Sequence, residues 1–241
     1  MSATTAPDRT LVTSRYGYED LRGLMTRMTG DEKHGPSATS TLDVLWVLYD
    51  RVLRVTAATL DDPDRDRFLL SKGHGPMAFY AVLAAKGFIP VEHLDTFGQF
   101  SSPLGYHPDR MLIPGVEISS GSLGHGLPIA VGVTLGQRSQ RLQGSRSRTY
   151  VLVGDAELDE GTNHEAIAYA GATGLDGLIA IVVDNQSATH GWPGGIAARF
   201  SVNGWSTATV DGRDHQALYA ALTTSSPGRP RVVVAVVPPK E

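Results

Sequence analysis
Two apolar runs dominate the chain's hydropathy pattern: Tyr150-Val151-Leu152-Val153 and Leu178-Ile179-Ala180-Ile181-Val182-Val183. Both are too short for a buried helix and both stop at a polar turn, so they predict two strands buried on both faces. Between them, Glu157-Leu158-Asp159-Glu160-Gly161 leads into a helical pattern that carries Glu165. Upstream, the spacing of Leu21, Leu24, Met25 and Met28 predicts a helix from Tyr18 to about Met28, ended by Gly30. Val44 to Tyr49 is apolar on nearly every side and reads as a buried helix. Phe68-Leu69-Leu70 reads as a short buried strand, running through Ser71-Lys72-Gly73-His74-Gly75 into a helix from Pro76 to Lys86. Phe97 to Pro114 is punctuated by Gly98, Pro103, Gly105, Pro108 and Pro114, and a loop this long inside a compact domain is usually functional. Ala130 to Leu135 is helical in spacing, and Arg138 to Arg148 reads as a solvated basic loop. A strand around Thr207 to Val210, a turn Asp211-Gly212-Arg213-Asp214, a helix from His215 to Leu222 and a strand from Pro230 to Val237 complete the pattern. Alternating strands and helices of this kind predict an α/β fold, a central mostly parallel sheet with helices on both faces.

Composition narrows the picture. A chain of 241 residues is enough for one substantial domain. Residues 18–241 are assigned to it, and the polar residues 1–17 to a mobile N-terminal segment. A net charge of -4 and a pI near 6.0 give no electrostatic reason to expect nucleic acid. With no cysteine there is no disulfide framework and no thiolate chemistry. The start lacks the basic and apolar regions of a signal peptide, and no apolar run is long enough to cross a membrane, so a cytoplasmic location is expected.

The chemistry concentrates at turns. Asp155 follows the first buried strand and Asn185 the second. In a parallel sheet such strand ends are neighbours, and two hard oxygen ligands meeting there suit Mg²⁺, with Ca²⁺ or Mn²⁺ as substitutes. Ser119-Ser120-Gly121-Ser122-Leu123-Gly124-His125-Gly126 precedes a helix, where glycines permit close backbone approach and the helix N-terminus favours anions. His34, His74 and His107 each lie in a Gly- or Pro-containing turn or loop.

Gly154-Asp155 followed about thirty residues later by Asn185 resembles the thiamin diphosphate motif, and the wording between them resembles the transketolase family. That resemblance implies thiamin diphosphate and Mg²⁺ as cofactors. Asp155, the Asn185 carboxamide and the Ser187 main-chain carbonyl would be the metal ligands. His74, Gly121, Ser122, Leu123, Gly124, His125, Gly154, Ala156, Glu157 and His190 would lie with the cofactor, Leu123 near its aminopyrimidine. His34, His74 and His107 would assist proton transfers and grip substrate, and Glu160 would link to the activating glutamate of another subunit. Three departures stand out: Gly35-Pro36 is in swapped order, Tyr106 replaces a glycine beside the substrate channel, and Ala156 replaces a glycine. The alanine serves if its φ is negative.

In the family the activating glutamate belongs to a pyrimidine-binding domain that follows this one. The sequence stops at Pro238-Pro239-Lys240-Glu241, so it resembles the N-terminal subunit of a split transketolase. The expected partner carries the pyrimidine-binding and C-terminal domains, with two copies of each chain in the assembly. The implied reaction is transfer of a ketol or related acyl unit from a ketose-like donor to an aldehyde acceptor. Two alternatives remain: the α subunit of a thiamin-dependent 2-oxo acid dehydrogenase or decarboxylase, and a cofactor-binding module without catalysis. His93, His164 and His215 fit ordinary helix surfaces, and Glu165 fits either an interface between subunits or a charged helix face.

Overall fold
The computed structural model describes residues 15–29, 35–141 and 146–239. Its sheet is all-parallel, with β1 (Arg67–Leu70), β2 (Thr149–Gly154), β3 (Leu178–Asp184), β4 (Ser206–Asp211) and β5 (Arg231–Val236) in the order β1-β2-β3-β5-β4. The helices are α1 (Leu21–Met25), α2 (Gly35–Val47), α3 (Met77–Ala85), α4 (Gly126–Arg141), α5 (Gly161–Ala172), α6 (Gly195–Ser201) and α7 (His215–Thr223). The expected α/β class holds.

Side chains alternate across the pleat, and the two faces build separate cores. Phe68, Leu70, Tyr150, Leu152, Ile179, Ile181, Val183, Val233 and Ala235 face α1, α2, α3 and α7. Leu69, Val151, Val153, Ala180, Val182, Val232 and Val234 face α4, α5 and α6. Central strands covered on both sides must be apolar throughout, which is why β2 and β3 read as continuous runs.

Several boundaries differ from expectation. The buried helix begins at Gly35, its proline falling in the first turn where no amide donor is needed, and closes in a π-helical turn over Leu48–Val52. The segment expected to be one helix from Tyr18 is a 3₁₀ turn, Tyr18–Asp20, followed by short α1. α4 continues to Arg141, so the expected basic loop is partly helix. The expected mobile segment falls almost wholly outside the described residues, as does His34.

α2 is tied to both ends of the described fold by buried Asp43. Its carboxylate accepts from the Tyr18 hydroxyl at 2.6 Å, from Arg213, and from His215 Nε2 at 2.9 Å. Tyr18 packs edge-on against the His215 ring, with centroids 4.6 Å apart. Burial, with the Asp43 carboxylate beside it, pushes the Tyr18 phenol up to about 12. His215 is therefore part of a buried polar cluster and not an ordinary surface residue. Asp43→Ala is expected to cost about 2 kcal/mol in urea denaturation, below the range for a fully buried pair because Arg213 is partly exposed. A loss under about 0.5 kcal/mol would show that the cluster is dispensable.

Candidate active site
Parallel strands deliver three consecutive turns to one edge of the sheet: Ser71–Gly75 after β1, Asp155–Glu160 after β2 and Asn185 onward after β3. Gly154 pairs with Val183, so Asp155 and Asn185 leave neighbouring strands at nearly the same height. Asp155 is 3% exposed, and its carboxylate accepts from Ser187 N–H at 2.6 Å, Ser187 Oγ at 2.6 Å and Ala188 N–H at 3.1 Å. No basic side chain among the described residues forms an ion pair with it. Asn185 is 2% exposed, and neither its carboxamide oxygen nor its nitrogen has a hydrogen-bond partner.

A buried carboxylate without a cation beside a buried carboxamide without partners is costly unless a ligand satisfies both. Asp155 and Asn185 would suit a divalent cation, which takes the rest of its oxygens from phosphate or water. The Asn185 nitrogen can then donate to an anionic oxygen. Gln186, between Asn185 and Ser187, is the sole described non-glycine residue with positive φ, at 56°. Such a conformation usually costs about 1 kcal/mol or more and clusters at functional sites. Among the described residues no group of three His, Cys, Asp or Glu forms a metal cluster.

The glycine-rich turn joins the same edge. Gly121 lies against the His107 ring, where an added Cβ would meet Cδ2 at 2.8 Å. Gly73 sits against Ser120 in the same way, at 2.4 Å from its Oγ, and that buried hydroxyl has no partner. The Gly124 carbonyl accepts from Thr162 Oγ1 at 2.6 Å, and Gly124 also packs on Glu160 Cβ. Glu157 reaches inward, accepting from Ser71 Oγ, from Gly124 N–H at 3.0 Å and from Gly154 N–H at 3.2 Å. Burial raises the Glu157 pKa, against the lowering effect of these hydrogen bonds and of Lys72.

Residues 26–236 match the family described as transketolase, thiamine diphosphate binding domain. The chain belongs to that family. It is 55% identical over 224 residues to Ferredoxin fas2 of Rhodococcoides fascians, covering 93% of this chain and 73% of that protein. It is 36% identical over 209 residues to a subunit of the apulose-4-phosphate transketolase of Actinobacillus succinogenes, covering 84% of this chain and 75% of that one. Transketolase from Leishmania mexicana superposes with a TM-score of 0.79 at 27% identity, covering 92% of this chain and 36% of that one.

Within this transketolase domain the predicted residues fall into three groups. Asp155, Asn185 and Ser187 lie at the strand tips beside Gly154, the last residue of β2, and His74, Gly121, His107, Gly124 and Glu160 lie on the turns around them. Ala156 has negative φ, which meets the condition for replacing a glycine. Two residues behave differently. The Glu157 carboxylate is taken up entirely by the protein, and His190 is exposed in the loop after β3, hydrogen-bonded to no other described residue. Tyr106 stacks edge-on against Phe97, with centroids 5.4 Å apart, and its hydroxyl end lies over Gly98.

Spacing gave no sign of a contact that ties the two halves of the strand-tip site together. Arg199 of α6 donates to the Leu158 carbonyl and to His164 Nε2, the latter at 2.6 Å, while Trp192 from the loop after β3 lies over its guanidinium at 5.1 Å. Accepting from Arg199 keeps His164 neutral, and burial followed by the Arg199 charge holds its pKa below the usual 6.5. A lowered folded-state pKa contributes stability that is complete above about pH 6.5 and lost as the pH falls through the lower value. His164→Gln should therefore flatten the acid limb of melting temperature against pH. An unchanged slope would remove His164 from the contact.

Proposed function
We propose that this chain is the thiamin diphosphate-holding subunit of a two-component, Mg²⁺-dependent transketolase-like enzyme. Residues 18–241 form the diphosphate-binding domain, and the enzyme transfers a ketol or related acyl unit from a ketose-like donor to an aldehyde acceptor. The observation that carries this reading is the pairing of buried Asp155 with partnerless Asn185 beside the glycine-rich turn. When bound, thiamin diphosphate supplies an electron sink for cleavage of a bond next to a carbonyl. The chain's own residues hold and shield. Asp155, Asn185 and the Ser187 carbonyl would take the metal, and Ala156 N–H and the Gly121–His125 turn would meet the cofactor. His74 and His107 would grip substrate hydroxyls and move protons, as would His34, which lies outside the described residues.

Exposure supports a partner. Gly121, Ser122, Leu123 and His125 are exposed in this chain, whereas carbanion chemistry requires exclusion of water. A second polypeptide carrying the pyrimidine-binding and C-terminal domains would cover the turn, in an assembly with two copies of each chain, and Glu160 would lie at that contact. The Actinobacillus relative, whose name makes it one subunit of its transketolase, is matched over 75% of its length, which supports such a division.

The relative named a ferredoxin favours a second reading, oxidative decarboxylation of a 2-oxo acid with electrons passing to an iron–sulfur protein. This chain has no cysteine to ligate a cluster, so any cluster would sit on another polypeptide. Assays of the purified chain, alone and co-purified with the product of the adjacent reading frame, separate the readings. Ketol transfer only with the partner supports the proposal. Full transfer by the chain alone contradicts it, and 2-oxo acid decarboxylation with no ketol transfer selects the second reading.

A further inference from the structure
Glu157 lies two residues beyond Asp155 yet points the opposite way. Ala156–Asp159 is a 3₁₀ turn, which rotates about 120° per residue, so the two carboxylates diverge. Asp155 is aimed at the loop after β3. Glu157, 2% exposed, is aimed at the turn after β1 and the turn before α4.

Its contacts span the site. Oε1 accepts from Ser71, 86 residues away, and from Gly124, 33 residues away, while Oε2 accepts from the Gly154 amide that immediately precedes Asp155. Ser71 Oγ extends the network by accepting from Gly126 N–H at 3.0 Å, the first residue of α4. The packing is equally close: a Cβ on Gly126 would stand 2.2 Å from Ser71 Cβ. Lys72, 4% exposed, runs its side chain past Gly154 with Cδ 3.3 Å from the position of an added Cβ, and so places a positive group near the buried carboxylate.

We propose that Glu157 is a positioning residue. Its carboxylate locks three turns, those after β1, after β2 and before α4, into the mutual register that receives the cofactor's diphosphate, without touching the cofactor. The role rests on the thiamin diphosphate reading above. It needs an acceptor at both oxygens. Glutamine offers one oxygen and one NH₂, so either Gly154 or the Ser71–Gly124 pair would face a donor instead of an acceptor. A buried donor left unpaired shifts its segment until it finds water or another acceptor.

The test compares Glu157→Gln with Thr149→Val, which removes a buried hydrogen bond to Gln137, 2.7 Å long, at the opposite end of β2. Calorimetric titration of each chain, co-purified with its partner, uses thiamin diphosphate at saturating Mg²⁺. Amide hydrogen exchange is followed on the same samples without cofactor. The proposal expects Glu157→Gln to weaken cofactor affinity about tenfold. It also expects faster exchange confined to Gly124, Gly126 and Gly154. Thr149→Val should lower the melting temperature while leaving affinity within about twofold. Wild-type affinity in Glu157→Gln, or an equal affinity loss in Thr149→Val, overturns the positioning role. If Glu157→Gln does not fold, Ser71→Ala takes its place with the same expectations for Gly124 and Gly126. If the wild-type protein binds no thiamin diphosphate, the functional reading fails, and the exchange pattern alone then decides whether Glu157 holds the three turns.

Discussion

Asp155→Asn is expected to weaken Mg²⁺-dependent thiamin diphosphate binding by about 100-fold, close to 2.7 kcal/mol, while leaving the cofactor-free chain as stable as the wild type or slightly more stable. The two effects share one cause. In the chain without cation, Asp155 buries a charge that only neutral donors compensate: Ser187 N–H, Ser187 Oγ and Ala188 N–H. An asparagine keeps one acceptor for the two amides, and the Ser187 hydroxyl can turn to accept from its NH₂, so the apo fold loses little and sheds a buried charge. With metal present the balance reverses, because an amide oxygen carries far less charge toward a divalent cation than a carboxylate does. Melting temperature and calorimetric affinity, measured on the same preparation, check both halves. A variant that binds as well as wild type would remove Asp155 from the cofactor site, and one that melts far below wild type would show that the carboxylate is structural.

Trp205→Ala is expected to destabilise the domain by about 3–5 kcal/mol. Trp205 is fully buried on the second face of the sheet, its ring edge-on to Phe200 with centroids 5.0 Å apart, and its indole N–H donates to the Ile167 carbonyl at 2.8 Å. Truncation opens a large cavity and removes that hydrogen bond, so the two costs add. The junction cannot collapse to recover them. Gly171 of α5 already packs so closely on the Asn203 carbonyl that an added Cβ would stand 1.6 Å from its oxygen. Urea denaturation of wild type and variant measures the difference. A loss below about 1.5 kcal/mol would mean that α5 and α6 repack freely.

What could be seen in the sequence was whatever depends on neighbours along the chain. β2 and β3 are continuous apolar runs because both their faces are covered, and their polar stops put Asp155 and Asn185 at the strand ends, where the structure has them. The glycine-bearing turns before α4 and after β1 were visible because close packing on His107, Glu160 and Ser120 leaves no room for a side chain at Gly121, Gly124 and Gly73. α6 was missed. It spans Gly195–Ser201, too short for a periodic pattern, and opens on Gly194 and Gly195, both at positive φ, which read as loop.

The roles that escaped notice depend on partners far away in sequence. His215 and Asp43 are 172 residues apart, and His164 meets Arg199 from a different helix, so both histidines looked like helix surface. Glu157 was expected to lie with the cofactor, but its carboxylate is taken up by Ser71 and Gly124, 86 and 33 residues away, and by Gly154. The 3₁₀ turn Ala156–Asp159, whose rotation sends Asp155 and Glu157 apart, leaves no mark in residue spacing.

The central claim is that a divalent ion joins a diphosphate to the tips of β2 and β3. The most direct measurement is a crystal structure of the chain with its partner, grown with thiamin diphosphate and Mn²⁺ in place of Mg²⁺ and phased for manganese anomalous signal. The account predicts one strong peak in contact with a carboxylate oxygen of Asp155 and the carboxamide oxygen of Asn185. Bound cofactor with the manganese elsewhere, and Asp155 still turned to Ser187 and Ala188, would contradict it.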